Sequence, residues 1–396
     1  MTQPLRNPWP ALLVICLGFF MIMLDTTIVY VATPSILTSL QTSFDSVLWV
    51  FNGYLLAYAV LLITAGRLGD LFGPRNLFAA GLVVFTAASV FCGLSQDATQ
   101  LIAWRVVQGV GGALIAPQSL SVLTSIFPRE RMGAALGVWG AVIGVSTIAG
   151  PTLGGLIVTN FDWRWIFFVN LPIGIAAFLG AFLIVPDVRP GRAHKFDVVG
   201  VLISGLALLA IVYALIEGQR YEWGTITGFV SIPLIIGVGV ALFVVFLFWE
   251  RRQAEPLVPL RLFQHRNYTL MNWTALAVAF AMQGIFLPFT IYLQSVLGMS
   301  ALASGLTVAP LSLVSMFVAP FSGRLVDRFG GKYLLMAGLT LFATGTGLLF
   351  WVASLDSTWQ TFVPALMVAG LGMGCVFAPM TTIAMRDVAP RDTGAA

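Results

Sequence analysis

The sequence predicts an all-α integral membrane protein made of two helix bundles with an inserted helix pair, and three observations carry that expectation. Apolar residues make up 59% of the 396 and charged residues only 9%, with a mean hydropathy of +0.95. An average soluble domain carries about 25% charged residues, so a soluble enzyme, a nucleic-acid binder and a disordered chain are all excluded. The apolar residues also gather into twelve runs long enough to cross a bilayer, which takes about 20 residues in a helix. Finally, seventeen of the twenty basic residues fall on one side of the implied topology.

The expected spans are 11–33, 48–66, 77–95, 100–127, 133–159, 165–185, 198–216, 225–248, 270–296, 304–322, 333–354 and 359–385. Gly and Pro interrupt these runs without forming linkers, as membrane helices tolerate. No run has the short alternating pattern of a membrane β-strand. The first run is longer than a signal-peptide core and lacks a small-x-small cleavage site, so it is expected to stay as the first helix. With the N-terminus inside, only Arg164 and Arg220 lie in outer connections and Arg105 lies within a span. This is a strong positive-inside bias, and it explains the net charge of +4 as topology. Cys16, Cys92 and Cys375 lie far apart inside apolar runs and imply no disulfide framework.

An internal repeat sets the domain organisation. Residues 66–75 and 323–332 both read Gly-Arg-Leu-x-Asp-x-Phe-Gly-x-basic, 257 residues apart. A repeat of that length indicates a duplicated helix bundle. A plain duplication would place the second copy only about 190 residues on, so spans 198–216 and 225–248 are read as an inserted pair. The expected units are a six-helix bundle over 1–187, connections and the inserted pair over 188–262, and a four-helix second bundle over 263–396. Residues 390–396 echo 128–135, which lead into the fifth helix. The expectation is therefore a chain two helices short of fourteen, which inserts but does not transport.

Asp25 and Arg105 are the only acid and base deep inside spans. A lone charge there costs about 2.5–3.5 kcal/mol on the insertion scale. Counted from the outer surface, Asp25 lies about 12 Å deep and Arg105 about 8 Å deep, so the two can face a common cavity. Two readings follow: a structural ion pair joining two helices, or a proton site whose carboxylate is tuned by burial and a nearby cation. Thr26, Gln108, Asn272 and Gln283 are intramembrane polar residues that could face a substrate; interhelical hydrogen bonding is the other role open to each. The glycine-rich run 370–374 follows no strand and reads as helix packing. His194 and His265 are far apart in connections, so no metal site is expected. Along the fifth span, small residues recur at intervals of four, ending in Ser146, Gly150 and Gly154. This makes a smooth face for close helix approach, with Gly150-Pro151 as a point where the helix can bend.

These residues resemble the major facilitator superfamily, and most of all its fourteen-helix drug:proton antiporter branch of EmrB/QacA-like exporters. Gly66, Asp70, Gly73 and Arg75 match that family's signature between helices 2 and 3, and Gly323, Asp327, Arg328, Gly330 and Lys332 match its second copy. Arg105, Gln108, Gly109 and Gly112 match the helix 4 signature, whose arginine the family associates with proton coupling. Ser146, Gly150, Pro151, Gly154 and Gly155 resemble the antiporter signature of helix 5, with Ser146 in place of its first glycine. Residues 24–34 resemble the branch's helix 1 pattern, with Tyr30 where Asn is usual, and 163–172 its helix 6 pattern.

The resemblance implies a bacterial inner-membrane transporter, not an enzyme, that exchanges protons for an amphipathic or hydrophobic small molecule by alternating access. Asp25 and Arg105 would couple protons, the two Gly-Arg-Leu loops would gate, and no cofactor beyond the proton gradient would be needed. The alternatives are a proton-coupled uptake symporter and a non-transporting receptor or scaffold.

Overall fold

The computed structural model describes residues 7–187, 197–253, 256–257, 260–386 and 388. The first bundle consists of α1 (Trp9–Ser39), α2 (Phe44–Phe72), α3 (Pro74–Leu94), α4 (Ala98–Ile126), α5 (Arg129–Asn160), and the pair α6 (Trp165–Phe168) and α7 (Asn170–Leu183). The inserted pair is α8 (Val198–Glu217) and α9 (Ile232–Glu250). The second bundle contains α10 (Arg266–Ile291), α11 (Ala301–Phe329), α12 (Gly331–Val352), α13 (Trp359–Gly374) and α14 (Phe377–Met385).

Each of the twelve expected spans is helical. Ten helical stretches among the described residues are long and apolar enough to cross a membrane. The other two spans are α5 and α10, of 32 and 26 residues. Two spans are broken. Pro172 lacks the amide that would bond back to Phe168, and the chain steps from α6 to α7 just there. The last span breaks at Cys375–Val376, between α13 and α14. One boundary is corrected. Residues 225–231, expected as the start of a span, instead form a hairpin of β1 (Thr225–Thr227) and β2 (Val230–Ser231). Gly228 turns it at φ +53°. The helix begins only at Ile232, where the Ser231 side chain accepts from the Leu234 amide and Pro233 occupies the first turn.

The repeat read from the sequence recurs in the backbone. Ser43 and Ser300, 257 residues apart, cap α2 and α11 in the same way, each side chain accepting from the amide three residues on. Gly73 and Gly330, also 257 apart, join α2 to α3 and α11 to α12 at φ +88° and +82°. With ψ of 131° and 156°, both occupy a region open to little but glycine. Gly73→Ala and Gly330→Ala are each expected to cost about 1–3 kcal/mol in unfolding measurements. Gly347→Ala, at a glycine of α12 with open space around it, serves as a control and should be neutral or slightly stabilising. Equal effects at all three positions would show that the loop glycines carry no special backbone demand.

Packing follows the duplication. In the first bundle α1 lies against α4, α5 and α7, while α4 lies against α2 and α3. In the second, α13 packs on α11 and α12, and α14 on α10. The glycine run 370–374 packs closely, as expected: an added Cβ at Gly374 would come within 2.7 Å of Val318. The most extensive contact between the bundles is that of α5 with α11. The inserted pair is self-paired and touches the rest mainly through α8 against α2, where the Trp49 indole donates to Glu217 at 2.9 Å. Only 22% and 17% of the most apolar stretches of α8 and α9 are buried, so both helices present most of their surface to lipid.

Candidate functional site

Asp25 and Arg105 meet directly. A carboxylate oxygen of Asp25 accepts from Arg105 Nη1, and the two side chains are 0% and 1% exposed. Such burial is costly unless the remaining donors and acceptors find partners, and the neighbouring helices supply several of them. Arg105 Nη1 also donates to Gln108 Oε1 at 2.7 Å, and its Nε donates to the Val50 carbonyl of α2 at 3.0 Å. The Gln108 amide nitrogen returns to Asp25 Oδ1 at 2.8 Å. Its amide is thus held at both ends, with the oxygen to the cation and the nitrogen to the anion. Asn170, at the start of α7, donates to the same Asp25 oxygen at 3.0 Å and to Ser89 Oγ at 3.0 Å. The guanidinium also lies 4.3 Å from the centre of the Tyr54 ring, a cation–π contact strengthened by the burial of both groups. Five helices of the first bundle converge here: α1, α2, α3, α4 and α7.

The structure thus brings together Asp25, Arg105 and Gln108. Asn170, Ser89 and Tyr54 join them without having been singled out in the sequence. Asn170 stands inside the 163–172 pattern and so carried a signal. Ser89 is one serine among many in apolar spans and carried none. Among the described residues the second bundle shows no counterpart. Met282 stands 257 residues after Asp25, and Leu366 stands eight residues beyond its helix cap, as Arg105 does beyond Asp97.

A cavity of about 540 Å³ lies between the bundles. Thr27, Tyr30 and Pro34 of α1 form one wall with Gly137, Gly140 and Gly144 of α5. Opposite are Met282 and Thr290 of α10, Gln294 of the π turn 292–296 that follows it, Ser304, Ser312 and Ser315 of α11, and Met373, Gly374 and Phe377 where α13 gives way to α14. Of the polar residues expected at a substrate cavity, Gln108 sits in the charged cluster, while Thr26 and Asn272 are turned back onto their own helices, donating to Ile22 and Tyr268 carbonyls at 3.0 and 2.9 Å. The side chains of Gln283, Pro151 and Asp327 lie outside the described residues. Cluster and cavity adjoin along α1: Thr27, two residues after Asp25, lines the cavity and donates to the Ser146 carbonyl at 3.2 Å.

The helix 5 glycines make close approaches on two sides. A Cβ at Gly150 would collide with Thr27 of α1, one at Gly154 would lie 3.0 Å from Ile28, and one at Gly155 would lie 3.5 Å from Leu302 of α11. Toward the other end of α5, a Cβ at Gly137 would reach the Ala319 carbonyl at 2.7 Å, and one at Gly323 of α11 would strike the Gly133 carbonyl. The seam is tightest next to the Gly-Arg-Leu loops. In the first loop Gly66 faces Pro117 at ordinary distance, Arg67 pairs with Asp70 at 3.5 Å, and Arg75 reaches Asp187 after α7 at 3.4 Å. In the second, Arg328 lies in the last turn of α11, before Gly330.

The sequence profile described as Major Facilitator Superfamily matches residues 15–396. The chain belongs to that superfamily. The relatives it matches are named as transporters and export proteins, and the chain itself has helices of membrane-spanning length and composition. An uncharacterized MFS-type transporter of Mycobacterium tuberculosis strain H37Rv is 44% identical over 394 residues, 98% of this chain and 66% of the relative. The chain therefore spans just under two thirds of that protein's length. The tetracenomycin C resistance and export protein of Streptomyces glaucescens is 39% identical over 93% of this chain and 67% of its own length. Among solved structures, the proton:xylose symporter XylE matches with a TM-score of 0.66 over 98% of this chain and 83% of the other, at 13% identity. That likeness is one of superfamily fold alone.

Proposed function

We propose that this protein is a drug:proton antiporter of the fourteen-helix branch, which exports amphipathic or hydrophobic small molecules across the cytoplasmic membrane by alternating access, with its N-terminus inside. The observation that carries the reading is the Asp25–Arg105 pair, buried beside a cavity that lies between two bundles. A carboxylate wrapped by one cation and two amides is a group that can hold or release a proton according to the position of its neighbours. Thr27, about half a turn further along α1, links that group to the cavity. A shift of α1 against α5 would therefore change both the proton site and the substrate site. The name of the Streptomyces relative, with those of a multidrug resistance protein of M. tuberculosis and a methylenomycin A resistance protein of Bacillus subtilis, supports export as the direction.

The test is proton release. Adding a transported compound to the purified full-length protein in weakly buffered detergent should release protons in the wild type and none in Asp25→Asn. Proton uptake on addition of the compound would point to symport, and no proton movement in the wild type would remove proton coupling altogether.

A further inference from the structure

We propose that the cavity selects uncharged molecules over organic cations, so that exchange for protons moves net charge across the membrane. The second clause rests on the antiport reading above; the first rests on the cavity alone. None of the residues lining it is acidic or basic. The positions of α5 and α10 beside it whose side chains are undescribed, such as Thr147 and Gln283, are uncharged in the sequence. Among the described residues, the charged pair nearby, Asp25 and Arg105, is sealed away, each partner satisfied by the other. A cation entering this space would shed water and meet no counter-charge, which is unfavourable for any ion in apolar surroundings. Two aromatic rings, Tyr30 and Phe377, reach the walls, and the Tyr30 ring has one face already stacked against Phe51 at 4.5 Å, so cation–π contact is a partial substitute for a counter-charge.

The lining instead suits a molecule with neutral hydrogen-bonding groups on an apolar frame. Methionines and small residues shape the walls, and Ser304 contributes a buried hydroxyl that has no partner. Such a hydroxyl gains from a carbonyl or hydroxyl brought by a ligand. Gln294 presents an uncharged amide at the same wall. If a neutral solute leaves as protons enter, each proton carries an uncompensated positive charge. A monovalent cation leaving for one proton would carry none.

Two tricyclic probes of nearly equal size separate the cases: N-methylacridone, which is neutral, and 10-methylacridinium, a permanent cation. Binding is read by tryptophan quenching in detergent without any gradient, corrected for partition into empty micelles. N-methylacridone should bind at least tenfold more tightly. Gln294→Glu, which keeps the shape and adds a carboxylate, should narrow that ratio at least fivefold by raising acridinium affinity. Equal or tighter acridinium binding in the wild type would overturn the proposal, as would an absence of binding by either probe. In proteoliposomes of the full-length protein under a pH gradient, N-methylacridone should then evoke a current, and an electroneutral exchange would overturn the electrogenic clause. A preserved binding preference with neither current nor pH change would instead count against antiport itself.

Discussion

Arg105→Ala is expected to be the most damaging single substitution in the protein, because it strands the fully buried Asp25 without a counter-charge. Removing one partner of a buried ion pair costs about 3–5 kcal/mol, and the two amides left, Gln108 and Asn170, cannot neutralise a carboxylate. Asp25→Asn should be milder in stability. Arg105 would keep the Val50 carbonyl, the Gln108 oxygen and the Tyr54 ring, while Asn fills the same volume. In function the order reverses in its meaning: a folded Asp25→Asn protein should have lost proton-driven efflux entirely. The double substitution Asp25→Asn/Arg105→Ala should unfold at a higher temperature than Arg105→Ala alone. If it does not, the pair is not what holds these helices together; if Asp25→Asn still exports with a normal response to pH, Asp25 is not the coupling group. Arg105→Lys should also fail to restore coupling, since an ammonium cannot serve Val50, Gln108 and Asp25 at once with the fixed fork of a guanidinium.

Gly323→Val is expected to have the second largest effect, and through motion more than charge. Its side chain would be driven into the Gly133 carbonyl, a backbone atom that cannot step aside. Overpacking of this kind costs about 1–3 kcal/mol, and the strain is relieved most easily by parting α5 from α11 at the loop end. Maleimide labelling of a cysteine introduced at Met132, beside that seam, should therefore speed up several-fold in the variant, with efflux correspondingly reduced. Unchanged labelling and unchanged efflux would mean that this close approach is not part of the cycle.

Much of this architecture was legible because a membrane leaves little freedom. Apolar length alone located every span, and the repeat at 66–75 and 323–332 located two loop glycines that the backbone then shares; the matching caps at Ser43 and Ser300 emerged only from the structure. Asp25 and Arg105 were legible for the same reason: in spans this apolar, a charge stands out, and two at similar depth suggest a pair. The cavity was much less legible. Serines and threonines occur on every face of these helices, and a hydroxyl can satisfy itself on its own helix, as Thr26 does with Ile22. Whether Ser304 or Thr26 faces the cavity depends on helix rotation, which a stripe of hydropathy cannot fix when all faces are apolar. The hairpin at 225–231 was hidden by its own composition, since Ile226, Phe229 and Val230 read as membrane residues until Gly228 and the Ser231 cap are weighed.

Every charged partner of the Asp25 cluster comes from the first bundle, whereas Met282 and Leu366 occupy the corresponding places in the second, and most of the hydroxyls and amides lining the cavity belong to that second bundle. On the proposed antiport reading, the first half of the duplication holds the engine and the second most of the lock. Selection acting on the serines of α11 or on Gln294 would then alter what is carried without touching the residues proposed to couple protons. Under that reading a lineage facing a new toxin explores new cargo cheaply, because its mutations fall where loss of energy supply is not among the consequences.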